Sequence, residues 1–227
     1  MDTADAQDPH LISRRSLLKG LIYSAVYLTL PGPEISLSKE FMASADVELW
    51  QLPHQGRRQN MGYVLKGENG AVFVVDGGTK EDAGYLKRFL TGLGGTVTAW
   101  FITHPHDDHV GALCDILLHS PEIQIGRLYG SIPDESWVNA YEPSRVKNLL
   151  HLNTALERSG KTISDLSLGE IINTGGLKFE VFGVRNPEIT GNAVNNSSMV
   201  FRVTGKNRSV LFLGDLGVEG GEKLLAS

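Results

Sequence analysis

Ala99-Trp100-Phe101-Ile102-Thr103-His104-Pro105-His106-Asp107-Asp108-His109 decides how this chain is read. An apolar run suited to a buried strand leads directly into three histidines and two aspartates within six residues. Neutral imidazoles and carboxylates are the ligands that bind zinc and related divalent ions. A strand-to-helix loop that only caps the next helix needs one Asp and no histidine. Alternate residues of an extended chain point the same way, and Pro105 keeps His104 extended. His104 and His106 are therefore expected to share one ion. Asp108 and His109 follow the turn and are expected to serve a second. Two ligand sets this close in sequence point to a two-ion hydrolytic site.

The flanking sequence supports a strand-and-helix layer around this loop. Val47 to Leu52 and Met61 to Lys66 alternate apolar and polar residues, as half-buried strands do. Glu68-Asn69-Gly70 signals a turn, and Ala71 to Val75 is a wholly apolar strand ending in Asp76-Gly77-Gly78. Glu81 to Leu93 carries Tyr85, Phe89 and Leu93 at helical spacing, and Gly94-Gly95 closes it. A strand over 97–103 and a helix from about Asp108 to His119 bracket the histidine loop. Beyond it, Ile123 to Tyr129 reads as a strand and Ser144 to Arg158 as a helix. The stretch between them, with Trp137 and Tyr141, is expected to wall a substrate pocket. Glu170 to Ile172, Leu177 to Val184, Met199 to Val203 and Val210 to Leu213 read as four further strands.

His104-x-His106-x-Asp108-His109 resembles the signature of the metallo-β-lactamase-fold hydrolases. Two other stretches agree in order and spacing. Val72-Phe73-Val74-Val75-Asp76-Gly77 resembles that family's early strand, and Val210-Leu211-Phe212-Leu213-Gly214-Asp215 resembles its late strand. The resemblance implies an α/β fold, an αββα sandwich, over residues 46–227. It implies two divalent ions, zinc or else manganese or iron, bridged by Asp215. Asp108 would ligate one ion and orient the attacking hydroxide. Asn195-Asn196-Ser197-Ser198 makes the chain look most like the branch that includes the metallo-β-lactamase-type domain of bacterial DNA-uptake (competence) channels. That branch implies a phosphodiester substrate. A lactam, lactone or thioester is the competing substrate class, and a non-catalytic metal-binding envelope domain is the competing function.

The chain departs from the family's pattern in two places. No histidine precedes Asp215 in Gly191-Asn192-Ala193-Val194-Asn195-Asn196-Ser197-Ser198. Asn195 or Asn196 would there hold a water or a substrate phosphate oxygen, or simply form a turn. The family's pattern also continues past Asp215 to a last histidine ligand, so the second half is expected to be truncated, with the helix begun by Glu219 to Leu225 having nothing to pack against. Asp76 is expected to brace the metal loop by hydrogen bonds. Ser198 belongs with the same supporting or substrate-contacting set. His54, in the loop after the first strand, either reaches substrate or is an exposed loop residue. His151 is assigned to a helix rather than to the site.

Composition narrows the rest. The formal net charge of −5 provides no global basic field to attract nucleic acid. Arg57-Arg58, Lys87-Arg88 and Lys206-Asn207-Arg208 are short enough to be solvated faces. The single cysteine, Cys114, excludes an internal disulfide. Residues 1–45 read as an export segment. Ser13-Arg14-Arg15-Ser16-Leu17-Leu18 resembles a twin-arginine signal, residues 20–33 carry no charge, and Ala43-Ser44-Ala45 is a cleavage candidate. The uncharged run suits a signal core and is too short for a stable membrane span. The expected location is periplasmic or extracellular.

Replacing Arg14 and Arg15 together by Lys should hold the protein in the cytoplasm. Cell fractionation checks this, and unchanged export of the double variant rules the twin-arginine route out.

Overall fold

The protein is described by a computed structural model that covers residues 47–57 and 59–226. The export segment expected over 1–45 lies outside the described residues. Strands β3 (Val72–Asp76) and β4 (Thr96–Ile102) are apolar on both faces, and each face meets a different layer. Successive side chains of a strand alternate sides. Val72, Val74, Trp100 and Ile102 face a layer of helices. Phe73, Val75, Ala99 and Phe101 face a second sheet.

The first sheet has the order β1 (Val47–Gln51), β2 (Gly62–Gly67), β3, β4, β5 (Gln124–Gly130), β6 (Ile163–Asp165). Its first three strands are antiparallel and its last four parallel. Parallel neighbours need crossovers. Helices α1 (Ala83–Gly92), α2 (Asp107–His119), α3 (Glu135–Tyr141) and α4 (Val146–Ser159) lie in those crossovers. Leu86, Leu90, Leu113, Ile116 and Leu152 from three of them pack on Trp100 and its neighbours. Cys114 lies in this core, where burial pushes its thiol up to about 12 and keeps it a packing residue.

The second sheet is antiparallel, in the order β10 (Ser209–Phe212), β9 (Val200–Thr204), β8 (Leu177–Gly183), β7 (Ile171–Thr174). Phe101 stacks between the sheets on Phe179 at 4.5 Å and on Phe201 at 5.0 Å between ring centroids. The architecture is the α/β sandwich expected from the sequence. On the far side of the second sheet, Leu224 and Leu225 of α6 (Val218–Ala226) line a hollow with Phe182, Val200 and Leu211. No helix among the described residues is long and apolar enough to cross a membrane.

Several local expectations are corrected. The helix expected from Ser144 starts as a 3-10 turn over Pro143–Arg145, because proline suits a helix start, and continues as α4. The expected pocket wall contains α3, which buries little beyond Val138 and so carries a weak periodic signal. Asn195 and Asn196 sit in a short helix, α5 (Ala193–Asn196). The late helix does find a partner. In α6, the Gly220 amide donates to Asn196 Oδ1 at 3.0 Å, and Asn196 Nδ2 donates to Glu219 Oε2 at 3.0 Å.

The stacked aromatics between the sheets set the fold's largest single-residue sensitivity. Phe179→Ala is expected to destabilise the protein by about 3–5 kcal/mol in urea denaturation. A loss under about 1 kcal/mol would mean that the two sheets are not held by this stack.

Candidate metal centre

Strand β3 ends on Asp76, which leaves the strand at φ +57°, a left-handed conformation that Asp tolerates better than most residues. The turn brings its buried carboxylate to the end of β4. Oδ1 accepts from the Thr103 backbone N–H at 2.8 Å. Oδ2 accepts from the Thr103 hydroxyl at 2.8 Å and from His109 Nδ1 at 2.9 Å. Three donors satisfy one buried charge. They also tie together the end of β3, the end of β4 and the first turn of α2.

Thr103 sets the tautomer of the next ring. Its one hydroxyl proton goes to Asp76, so its 3.1 Å contact with His104 Nδ1 is one in which the ring donates. Nε2 of His104 is then a bare lone pair. The Ser198 hydroxyl, 3.2 Å from the same Nδ1, holds the ring from the second sheet and accepts from the Asp215 backbone N–H at 3.2 Å. His106 forms the N-cap of α2 with extended backbone, and His109 follows one turn later. The His104 ring centroid lies 4.6 Å from that of His106 and 4.0 Å from that of His109. The Nε2 atoms of all three rings are buried and have no hydrogen-bond partner.

Two carboxylates lie against these rings. Asp215 Oδ1 lies 3.4 Å from His109 Nε2, and Glu142 Oε1 lies 3.6 Å from His106 Nε2. Asp215 is placed by Gly214 at φ +55°. A Cβ at that position would meet the Ser198 and Thr103 side-chain oxygens at 2.8 and 2.9 Å, so this approach needs glycine.

The rings differ in charge. Burial drives the pKa of His104 well below the ordinary value, and the neighbouring His109 and His106 add to the effect. His106 is lowered by burial and then by the Arg145 guanidinium. For His109 burial works against the proton, yet Asp76 and Asp215 on its two nitrogens outweigh it and raise its pKa to about 10. The Asp215 carboxyl is held low by its pairing with His109.

The ligand atoms of His104, His109 and Asp215 all lie within 4.8 Å of one another. His106 and Asp108 stand outside that group, and the His106 ring lies 4.6 Å from that of His104. The turn into α2 brings the His109 ring to 4.0 Å from that of His104. Asp108 is half-buried in the first turn of α2. Asp76 braces His109 as described. Asn196 spends its side chain on Gly191, Glu219 and Gly220. Asn195 has a buried, unpartnered Oδ1, and its side chain acts on His104. Ser198 supports His104 and Asp215. His54 is exposed and bonds the Gly56 carbonyl, and His151 is exposed on α4. Thr103 and Glu142 are site residues the motif did not mark. Thr103 was within reach, as the residue joining the strand to the first histidine.

The donor set fits divalent ions. Imidazole and carboxylate suit zinc, manganese or iron. Two donors about 2.1 Å from one ion at tetrahedral angles stand about 3.4 Å apart, close to the His109–Asp215 and His106–Glu142 separations. The buried Nε2 of His104, which has no hydrogen-bond partner, would gain one.

A profile of the Metallo-beta-lactamase superfamily matches residues 55–227. Among solved structures, BJP-1, a subclass B3 metallo-beta-lactamase of Bradyrhizobium japonicum, is similar with a TM-score of 0.48 at 18% identity, over 79% of this chain and 71% of that one. A metallo-beta-lactamase of Cronobacter sakazakii is similar with a TM-score of 0.44 at 13% identity, over 73% of this chain and 63% of that one. A diphosphatase of the PhnP family is similar with a TM-score of 0.40 at 19% identity, over 65% of this chain and 49% of that one. The chain therefore spans less than two thirds of the Cronobacter protein and about half of the diphosphatase. No curated protein matches.

The raised pKa of His109 has a sign that can be measured. Its contribution to the stability of the metal-free protein is complete below the ordinary value of 6.5 and is lost as pH rises through about 10. Near pH 8 the metal-free site therefore still holds a proton that an ion at His109 Nε2 must expel. Calorimetric titration with Zn²⁺ in buffers of different ionisation enthalpy should show about one proton released per protein from this ring. Absence of any proton release would remove His109 from the ligand set.

Proposed function

The chain belongs to the metallo-beta-lactamase superfamily, which includes metal-dependent hydrolases, and we propose that it is a hydrolase acting on a small phosphodiester or similar anionic substrate. The observation that carries the reading is the cluster of His104, His109 and Asp215, whose ligand atoms lie within 4.8 Å of one another, with the buried His106 ring beside it. A bound divalent ion supplies Lewis acidity and a water whose pKa falls toward neutrality.

The protein's own groups then have distinct tasks. His104, His106, His109 and Asp215 hold one or two ions, zinc being the first candidate. His104 and His106 are neutral at physiological pH because of their burial, so their lone pairs are available without losing a proton. Asp76 keeps the His109 ring aligned through Nδ1, the role that carboxylates commonly play behind ligating histidines. Asp108 is assigned to accept a hydrogen bond from the attacking water.

Substrate class rests on charge and on the sequence. The N-terminus of α2 opens at the site, which favours an anion. Asp107 and Asp108 in its first turn offset part of that preference. Asn195-Asn196-Ser197-Ser198 supports the DNA-uptake-like branch and hence a phosphodiester. The net charge of −5 favours a small substrate over a long polynucleotide. Arg14-Arg15 supports action outside the cytoplasm, in the periplasm or beyond.

Metal content and turnover of bis(4-nitrophenyl) phosphate test the assignment, with a lactam, a lactone and a thioester assayed in parallel. Asp108→Asn and Asp215→Asn should each lower phosphodiester turnover by about 100-fold or more. His151→Ala should retain it. Loss of metal in His151→Ala together with full activity in Asp108→Asn would overturn the residue roles. Turnover confined to the lactam, lactone or thioester would overturn the substrate class.

A further inference from the structure

Helix α3 starts after Asp134 and presents a half-buried Trp137 in its first turn. The Trp137 indole N–H donates to the Pro187 carbonyl at 3.0 Å. Pro187 lies in the loop between β8 and α5. That loop is pinned where the Asn186 backbone N–H donates to Ser197 Oγ at 3.2 Å and Asn186 Nδ2 donates to the Asn196 carbonyl at 2.7 Å. Arg185, one residue earlier, is fixed by the first sheet. Its Nη1 donates to Ser131 Oγ at 3.2 Å and to Asp165 Oδ1 at 2.5 Å. A cavity of about 160 Å³ lies among these groups, lined by Pro133, Asp134, Trp137, Arg185, Pro187 and Ser197.

The size and the chemistry of this cavity select one kind of occupant. A cavity of about 150 Å³ holds one benzene ring, so this one holds a single six-membered ring and is too small for a fused bicycle. Its indole and guanidinium are planar, and planar groups stack on heteroaromatic rings. The edge of the ring would meet polar groups. Ser197 Oγ accepts from Asn186 and keeps its own proton to donate. Nε and Nη2 of Arg185 have no hydrogen-bond partner among the described residues and are further donors. Asp134 is an acceptor. A plain hydrocarbon ring would desolvate these groups without pairing them. A ring with both C=O and N–H on its edge pairs them, and a pyrimidine base is such a ring.

Two walls of the cavity run directly into the metal centre. Ser197 is followed by Ser198, whose hydroxyl lies 3.2 Å from His104 Nδ1. Trp137 stands on the helix that ends beside Glu142, whose carboxylate lies against His106. The five residues from Trp137 to Glu142 span about 7.5 Å of helix, on the scale of the sugar that joins a base to its phosphate. Given the phosphodiester reading above, on which this inference rests, we propose that the cavity is the base subsite of a nucleotide substrate and takes a pyrimidine ring stacked on Trp137 and Arg185. These two side chains are specificity-determining residues and lie outside the cluster of ligand candidates. Recognition through one base suits a mononucleotide, and it needs no basic field of the kind that the net charge of −5 withholds from a polynucleotide.

The test reads binding separately from turnover. The full 227-residue chain is titrated calorimetrically, with and without Zn²⁺, with cytidine and uridine 5′-monophosphates, with their purine counterparts, with ribose 5-phosphate and with phenyl phosphate. The pyrimidine nucleotides should bind about tenfold or more tightly than each of the others. Trp137→Ala should weaken them by about five- to a hundredfold, the range for loss of one base stack, and leave ribose 5-phosphate unchanged. Trp137→Phe, which keeps a flat ring, should restore most of the affinity. Arg185→Lys keeps the charge but not the planar fork, and should weaken pyrimidine binding severalfold. This variant decides the matter if Trp137→Ala does not fold. Pyrimidine nucleotides that bind no better than ribose 5-phosphate, the purine nucleotides or phenyl phosphate overturn the proposal, as does parent-like binding by Trp137→Ala or by Arg185→Lys. Turnover of bis(4-nitrophenyl) phosphate by the same parent preparation would leave the hydrolase reading standing in those cases. Base-selective binding without turnover of any diester supports the subsite and overturns the hydrolase reading instead.

Discussion

The buried carboxylate of Asp76 is the constraint on which the site depends. It carries charge in an interior that penalises charge, and it persists there because Thr103 and His109 give it three donors. Those bonds join the ends of two parallel strands to the first turn of the helix that follows. Nδ1 of His109 is thereby committed and Nε2 is aimed inward. The same bonds use up the Thr103 proton, and this leaves the His104 ring in the tautomer with a free Nε2. One interaction therefore orients two of the three rings.

The two sheets meet at this point as well. The Met199 backbone N–H donates to the Thr103 carbonyl at 2.8 Å, and the Ser198 hydroxyl reaches His104 and the Asp215 backbone. Residues from β3, from the end of β4 and from the loops flanking β9 and β10 thus share one rim. The stacked Phe101, Phe179 and Phe201 lie behind it and set the distance between the sheets. Placement of the ligand candidates is a product of core packing as much as of polar contacts. A shift in the stack would move Asp215 relative to His109.

The fold was legible where one periodicity ran long enough. Ala71 to Val75 and the run before His104 read as buried strands, and they are. The histidine loop was legible because its chemistry lies within six residues. Which of those residues share an ion depends on how tightly the chain turns into α2. Glu142 was hidden for a different reason. A single acidic residue between a short helix and a proline carries no local signal, and only the packing of Val138, Leu149 and Val194 brings it to His106. Asn196 shows the converse. A residue type suited to binding substrate is used instead to join α5 to α6.

The different anchoring of the three rings and of Glu142 and Asp215 also has an evolutionary consequence. The three rings are locked to one another by a proline, a helix turn and a buried charge, so they can change only together. The two carboxylates arrive on separate segments, one at the end of α3 and one after β10, each held by its own local contacts. Mutation can therefore retune the surroundings of one carboxylate without disturbing the other. Such a layout lets a lineage explore new metals or substrates stepwise, with the histidine loop inherited intact.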